Sequence, residues 1–456
     1  MLKKMIIPCV IAVFAQVAFG QQSAAGRPLS LQDCIKLALN RNTSVLQAQY
    51  QAESQDAKVL SAYGGLLPTV SGNGQFAYTD QRSPVGYRSL QGILIPTTGG
   101  VNINRQYQAW VTADYTLFNG FANYSTVNQA NSAGESMDLG YERARQTAVY
   151  QTTQNYLAVF NFRDQLQISR DNLTRDQQQL ESIKESNTVG SASLAQVYQQ
   201  QATVSQDEYA LVQAQNAYDQ AQAALRFFLA IPVTDTVTFA DPSVKSEIDT
   251  TEFVQVNQQF SLIPQLMGKA LDTRSDYQAA QYSLDASKSS LSIANAEYSP
   301  TISLFTQYQL SGPQLTGAGT DNLAQNKSFY GGLSISIPIF NGFVTQSNIQ
   351  QAGVAVKASE QTLDATKRQV ALDVYQALLN LNASEKGYLA ALNAVAAAKI
   401  NLETEQEKFR IGGATLLDVL TANAQYTLAL SSRVVAAYTY IQAKEQMEFA
   451  VGTINY

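Results

Sequence analysis

The sequence predicts a mainly α-helical protein with an additional set of β-strands suited to a membrane, built from two copies of one unit. In each unit a strand runs directly into a very long helix. Apolar and small polar residues alternate over Leu333–Phe340, and a long segment of helical character follows after one Asn-Gly pair. The same transition occurs earlier in the chain, at an offset in residue number of 222 (340 minus 118). Both transitions read Phe-Asn-Gly-Phe, at Phe118, Asn119, Gly120 and Phe121 and at Phe340, Asn341, Gly342 and Phe343. We therefore expect an internal duplication.

The N-terminal segment Met1–Gly20 has the features of a secretory signal peptide. Lys3 and Lys4 precede an apolar run, and the small residues Ala18 and Gly20 stand where cleavage would occur. Its removal would leave Cys34 as a single cysteine, so no disulfide within the mature chain is expected.

The following segment predicts two helices and a pair of strands. Ser30–Asp33 resembles a capping box that opens the first helix, and a second helix is expected over residues 43–63. Alternating residues predict strands at Thr69–Thr79 and Gln106–Leu117. Residues 80–105, rich in glycine, proline, serine and threonine, are expected to form a loop between them.

A very long helical hairpin follows the second strand. Residues 122–185 contain no proline and hardly a glycine, and at about 1.5 Å per residue such a helix would approach about 100 Å. Gly190 interrupts it, and a second helix over residues 194–229 returns antiparallel to the first. The heptad pattern is partial, because one of its two series is mixed: Phe162, Ser169, Asp176 and Ile183.

The same plan repeats in the second half of the chain. It predicts a helix over residues 276–297, strands at Thr301–Leu310 and Ser328–Phe340, and a helical hairpin over residues 344–450. The chain thus divides into a signal peptide (1–20), a first repeat (21–231), a linker (232–273) and a second repeat (274–456). A short strand is expected in the linker, at Thr234–Phe239.

The strands have about the length of a tilted membrane strand, roughly 9–11 residues, although a hairpin of a soluble sandwich would alternate in the same way. No segment beyond the signal peptide offers 18 uninterrupted apolar residues, so a membrane crossing would rely on strands. Four strands cannot close a barrel, whereas three copies supply twelve, enough to enclose a pore. A homotrimer with cyclic closure is therefore the expected assembly.

Composition excludes several classes of function. The net charge is −6 and no basic cluster occurs, so a nucleic-acid partner is not expected. Histidine is absent, which removes the commonest general base and the commonest metal ligand. We predict no catalytic, metal-binding or cofactor-binding residues and no enzymatic activity.

The duplicated strand-to-helix unit, the paired Phe-Asn-Gly-Phe junctions and the paired glycine turns between the long helices resemble the TolC family of outer membrane efflux proteins. The resemblance covers essentially the whole mature chain. It implies a trimeric channel with a twelve-stranded barrel in outer membrane lipid and a twelve-helix tunnel in the periplasm. It also implies two protein partners, a periplasmic adaptor and an inner-membrane pump, as in tripartite efflux and type I secretion systems.

The resemblance also assigns roles to the two turns between the long helices. These turns would be the periplasmic hairpin tips that contact the adaptor, although their glycines would serve equally well as simple turn residues. The predicted contact residues are Val189, Gly190, Ser191, Ile411, Gly412 and Gly413.

Asp418 occupies a position at which the family carries an acidic residue of a periplasmic constriction. Three copies would form an anionic ring that favours cations, whereas the alternative is a carboxylate favoured only by the helix N-terminus. The sequence departs from the family pattern, because the companion position is Thr421 and the first-repeat equivalent is Gln196. Phe409 and Arg410 are further candidates for closing contacts at this tip.

Two other functions remain open at this point. A self-sufficient porin would place nearly all its length in strands, whereas helices dominate here. A periplasmic coiled-coil structural protein would not need four alternating strands. Passive export through the outer membrane, with energy supplied by a partner, is the preferred function, because no phosphate-binding Gly-rich loop occurs. The cargo cannot be inferred from these patterns.

Overall fold

The structure, a computed structural model, describes residues 28–83, 85–97, 99–241, 246–249, 251–260, 262–312 and 326–454. The predicted signal peptide lies outside the described residues. The elements in chain order are α1 (Leu31–Arg41), α2 (Thr43–Gly64), β1 (Thr69–Ser83), β2 (Gly86–Leu90), β3 (Ile93–Thr97), β4 (Gly100–Asn119), α3 (Ala122–Thr188), α4 (Leu194–Phe228), α5 (Thr251–Gln259), α6 (Ile263–Thr273), α7 (Ser275–Ala296), β5 (Thr301–Gly312), β6 (Asn326–Ser336), α8 (Val344–Arg410) and α9 (Leu416–Val451).

The duplication extends through almost every helix of the described chain. Helices α3 and α8 both have 67 residues and begin at an offset of 222 (344 minus 122), and α4 and α9 begin at the same offset. Helices α2 and α7 both have 22 residues at an offset of 232, since 275 minus 43 is 232. The predicted long helices are present in both repeats. They run uninterrupted because the sequence has no proline between each junction and the glycine turn that follows it.

The second repeat begins earlier than the sequence predicted. Helix α6 has 11 residues, as α1 does, and starts at an offset of 232 from it (263 minus 31), inside the segment predicted as a linker. Ala38 and Ala270 occupy equivalent positions, and both are fully buried against long helices of their own repeat.

The predicted capping box of α1 is confirmed, since Ser30 and Asp33 exchange hydrogen bonds. The short strand predicted at Thr234–Phe239 is wrong, because Phe239 makes only an isolated bridge to Leu29.

Four antiparallel strands form one sheet in the order β1-β4-β5-β6. Thr69 lies opposite Asp114 in the first hairpin, and Thr301 lies opposite Ser336 in the second. Thr301 is the equivalent of Thr69 at the offset of 232, and Ser336 is the equivalent of Asp114 at the offset of 222. The two hairpins therefore have the same strand register. The predicted loop at 80–105 is wrong in part. Strands β1 and β4 extend into it, and β2 and β3 form a separate hairpin within it.

Strand β6 ends earlier than predicted, at Ser336 instead of Phe340. Its partner β5 begins at Thr301, directly opposite Ser336, so nothing in the described chain pairs with the residues beyond. Pro338 also lacks the N–H that a ladder needs. The equivalent part of β4 stays extended to Asn119, because β5 continues alongside it.

The helices pack side by side below the sheet. Near the sheet the contacts run in the order α2-α3-α7-α8, and further away in the order α4-α3-α9-α8. Among the described residues, the two larger apolar cores lie between these helices and the short ones, one under α1 and one under α5 and α6. Cys34 is buried in the first and is free. None of the helices among the described residues is long and apolar enough to cross a membrane.

Candidate functional site

The two strand-to-helix junctions are built alike. Gly120 and Phe121 both adopt φ +65°, and Gly342 and Phe343 adopt φ +68° and +65°. Two successive left-handed residues turn the chain from the strand into the helix, and the first of them is glycine because it has no Cβ. At each junction the two phenylalanine rings meet edge to face, with centroids 5.5 Å and 5.4 Å apart.

The environments of the two junction glycines differ. A Cβ on Gly120 would lie 2.5 Å from the Cβ and Oγ atoms of Ser299 and 2.9 Å from the backbone oxygen of Ala296. A Cβ on Gly342 would meet nothing within 4 Å in the described chain. The first junction is therefore pressed against the end of α7, while the second faces open space.

The two hairpin tips are also built alike. Gly190 and Gly412 have φ +78° and +81° and cap the long helices. The amide of Gly190 donates to the Asn187 oxygen at 3.0 Å, and the amide of Ser191 donates to the Ser186 oxygen at 2.9 Å. This pair of bonds is a Schellman motif. The second tip repeats it through Gly412 and Gly413.

The tips expose apolar side chains at the end of the helical layer. The predicted contact residues Val189 and Ile411 are largely exposed, and Leu194 and Leu417 in the following first turns are exposed as well. Val189 and Ile411 occupy the same position in the two turns, so an exposed apolar side chain is present at each tip.

Thr415 is the N-cap residue of α9, and Asp418 completes its capping box three residues later. Its Oδ2 atom accepts hydrogen bonds from the Thr415 amide at 2.8 Å and from the Thr415 hydroxyl at 2.7 Å. These bonds hold the pKa of Asp418 below its ordinary value. Gln196 plays the same part in the first repeat, where its Oε1 atom accepts from the Ser193 amide at 2.8 Å. A neutral amide therefore satisfies the same cap as a carboxylate.

Arg410 and Phe409 lie in the last turn of α8. The Arg410 guanidinium donates two hydrogen bonds to Glu407 one turn earlier, at 2.9 Å and 2.5 Å, and both groups are exposed. Phe409 is half-buried. No hydrogen bond or ion pair among the described residues joins either of them to Asp418, although all three lie at the same tip.

A buried polar cluster lies where α3, α4 and α9 meet, above the tips. Asn423 donates to Asp176 at 2.8 Å, and Gln200 donates to the same carboxylate at 3.0 Å. Thr427 donates to Asn172 at 2.6 Å, and Arg175 donates to Thr427 at 2.9 Å. This cluster joins the two repeats. In the sequence, this cluster is indicated by Asp176, an acidic residue at a heptad position that normally holds an apolar residue.

Asp207 adds a second carboxyl group to this cluster. Asn172 donates to its Oδ1 atom at 2.8 Å. Burial and the nearby Asp176 carboxyl raise the pKa of Asp207 well above its ordinary value. Asp207 therefore keeps its proton to a higher pH than an ordinary aspartic acid does.

A second charged cluster, absent from the sequence predictions, joins the two repeats at the corner between α6 and α7. The Arg274 side chain, 3 % exposed, binds Asp276 at 2.5 Å and Asp373 of α8 at 2.7 Å. Arg143 of α3 approaches Asp276 at 3.7 Å. Although burial opposes ionisation, the Arg274 hydrogen bonds and the Arg143 charge hold the pKa of Asp276 below its ordinary value.

A duplicated chain that carries a four-stranded antiparallel sheet on two very long helical hairpins has the elongated architecture of a channel protein. The family model described as outer membrane efflux protein matches residues 34–230 and 266–453, two segments whose first residues differ by the same offset of 232 (266 minus 34). The match covers well over half of the chain, so this chain belongs to the outer membrane efflux protein family. The predicted family, outer membrane location and export function are confirmed. Membership also decides against the porin and coiled-coil alternatives.

Individual relatives agree with this assignment. The chain is 26% identical to outer membrane protein TolC of Vibrio cholerae over 98% of this chain and 96% of the relative. The solved structure of VceC from Vibrio cholerae superposes with a TM-score of 0.77 at 17% identity, covering 92% of this chain and 96% of VceC. The CmeC outer membrane channel of Campylobacter jejuni gives a TM-score of 0.76 at 16% identity, covering 93% and 85%. These two structures share the fold.

Proposed function

We propose that three copies of this chain form a passive export channel, with a twelve-stranded barrel in outer membrane lipid and a twelve-helix tunnel in the periplasm. The observation that carries the proposal is the sheet itself. Among the described residues, β1 and β6 are its outer strands, and their free backbone groups would be left unpaired in lipid at several kcal/mol each. Pairing between copies removes both edges at once.

The length of the helices supports the tunnel. Helices α3 and α8, of 67 residues each, would reach about 100 Å beyond the sheet if straight. The channel carries out no chemistry in this proposal. Energy comes from an inner-membrane pump, and a periplasmic adaptor connects pump and channel.

The exposed apolar residues of the tips support adaptor docking at that end. Val189 and Ile411 project from equivalent Schellman turns, so the three copies together would present six similar apolar sites. A helical partner with apolar residues at its own end would cover them.

The assembly is tested by the mass of the detergent-extracted protein. We expect light scattering, corrected for detergent, to give three chains per particle, and circular dichroism to give a mostly helical spectrum. Deleting the gene should abolish pump-dependent export, and the intact gene should restore it. A monomeric particle would contradict the proposal, and so would export that persists without any adaptor.

Asp418 is proposed to contribute an anionic ring at the periplasmic constriction. The Gln196 cap provides a clean test, because Asp418→Gln removes the charge and keeps a capping side chain. We expect the cation preference of single channels in planar bilayers to fall several-fold, with the melting temperature unchanged. Gln196→Ala is the matched control, since it removes a cap without changing charge. If Asp418→Gln leaves ion selectivity unaltered, Asp418 acts only as a cap.

A further inference from the structure

The buried polar cluster between α3, α4 and α9 brings two carboxyl groups together. Asp176 of α3 is 3 % exposed, and Asp207 of α4 lies within hydrogen-bonding reach of its carboxyl group. The guanidinium of Arg175 donates to neutral side chains of the cluster, and no ion pair in the described part of the chain joins it to either carboxyl group. Ionised carboxylates only accept hydrogen bonds, so a bond between the two groups requires a proton on one of them.

The surrounding hydrogen bonds assign this proton to Asp207. Both oxygens of Asp176 already accept, from Gln200 at 3.0 Å and from Asn423 at 2.8 Å, which stabilises its ionised form. Asp207 accepts through Oδ1 from Asn172 at 2.8 Å. Its buried Oδ2 atom has no hydrogen-bond partner among the described residues. An O–H group at this atom would supply the missing donor.

Gln200 provides a second buried oxygen that lacks a donor. This side chain is 0 % exposed, and its Nε2 atom donates to the backbone oxygen and to the carboxylate of Asp176, at 3.0 Å each. These two bonds fix the orientation of the amide, and they leave its Oε1 atom without a partner in the chain as described. A cluster whose unpartnered buried atoms are oxygens is suited to take up a proton. The charge of Arg175 disfavours a metal ion as the occupant, because like charges repel in a buried site.

The charged groups that act on Asp207 both belong to α3. Burial and the contact with Asp176 raise the pKa of Asp207 to about 7, while the hydrogen bond from Asn172 and the charge of Arg175 oppose this rise. Helix α9 contributes neutral side chains to the cluster, at positions 423 and 427. The proton is therefore bound in mildly acidic solution and lost in mildly alkaline solution.

The part of α4 nearest the tip has few other attachments. Within the described chain the buried residues of α4 are Gln200, Val204 and Leu225. Gln200 and Val204 lie at the level of the cluster, whereas Leu225 lies at the far end of the helix, in the core under α1. The cluster and Val204 therefore decide how firmly residues 194–207 are held against α3.

We propose that Asp176 and Asp207 form a proton-binding switch, which fastens the part of α4 nearest the tip to α3 and α9 when protonated and loosens it when ionised. Loss of the proton leaves two carboxylates side by side in a buried site. Their repulsion falls when α4 moves away from α3 and water enters. The switch lies within one chain, so it does not depend on how many copies assemble.

The second helical hairpin lacks this switch. At the offset of 222, the equivalents of the two carboxyl residues and of the buried glutamine are alanines: Ala398, Ala429 and Ala422. Alanine does not titrate, so α8 at this level is an internal control within the same molecule.

Hydrogen exchange of the purified full chain in detergent with a chelator tests the switch, at about pH 5.5 and about pH 8.5. The closed form holds a proton that an open, hydrated Asp207 releases, so raising the pH towards and through about 7 favours opening. After correction for the intrinsic pH dependence of amide exchange, we expect residues 194–207 to exchange about tenfold faster at the higher pH. Residues 394–407 of α8 should exchange equally at both.

The variant Asp207→Asn has nearly the shape of the protonated side chain and provides a donor at every pH. It should abolish the pH dependence and keep α4 as protected at the higher pH as the parent protein is at the lower. Asp219→Asn is the matched control, because Asp219 is an exposed carboxylate of α4 that accepts from Gln215 at 3.0 Å; it should retain the tenfold difference. A pH dependence that persists in Asp207→Asn would overturn the proposal, and so would a parent protein whose α4 is equally protected at both pH values.

Discussion

Replacing Arg274 with methionine is expected to cost about 2–4 kcal/mol per chain, because its removal leaves two partly buried carboxylates without their cation. The Arg274 guanidinium is the common partner of Asp276 and Asp373, and it also lies 3.4 Å from the Ala450 carbonyl oxygen. Arg274→Met would leave both carboxylates without this cation, with only Arg143 nearby at 3.7 Å from Asp276.

The measurement is the thermal melting of the purified protein in detergent, followed by circular dichroism at a fixed scan rate. Arg368→Met is the matched control, because Arg368 pairs with Asp364 on the exposed surface of α8. Exposed pairs contribute about 0–1 kcal/mol, so this control should melt close to the parent protein. Adding Asp276→Asn and Asp373→Asn to Arg274→Met should recover part of the loss. Equal melting of the Arg274 and Arg368 variants would show that the corner cluster contributes no more stability than an exposed ion pair.

Replacing Gly120 with alanine is expected to destabilise the chain by about 2–5 kcal/mol, the sum of left-handed backbone strain and overpacking. The backbone at Gly120 has φ +65°, which disfavours any residue with a Cβ. The new Cβ would also lie 2.5 Å from the Ser299 side chain and 2.9 Å from the Ala296 backbone oxygen. The first junction could accommodate it only by moving β4 or the end of α7.

Gly190→Ala separates these two causes, because Gly190 has a similar φ of +78° but open space around it. This variant should lose only the strain contribution, about 1–2 kcal/mol. Melting in detergent and the yield of folded protein in membranes are the two measurements. If the two variants lose the same stability, the contact between the junction and α7 is not tight.

The long helices and their connections could be predicted from local sequence. The run without breakers after Phe121, the glycine turn at Gly190 and the capping pattern at Ser30 each depend on residues within a few positions of one another. Local preferences of this kind set where a helix begins and ends, and the predicted ends agree with the structure within a few residues. The duplication at an offset of 222 could also be found from the sequence, because finding it requires only that one local pattern be matched with another.

The charged cluster at the corner between α6 and α7 could not be predicted in this way. Arg274 corresponds to Asn42 in the first repeat, where the side chain caps α2 through the Ser44 amide at 2.9 Å. Asp276 and Asp373 likewise have no acidic equivalents, since Ser44 and Gln151 occupy those positions. A comparison of the repeats thus gives no reason to expect a charged cluster at this corner, and none of its other members is near Asp373 in sequence.

By itself the sequence determined the helix lengths, the junctions, the tip turns and the family, because each depends on short-range backbone preferences or on repeated spacing. The tertiary structure alone decided which polar residues are buried together, where β6 ends and which faces stay open. These properties depend on the partner that each residue meets across the helical layer or the sheet. The residues that follow Ser336 have no strand partner among the described residues, and Leu379 stays 50 % exposed, and neither property can be read from the local sequence.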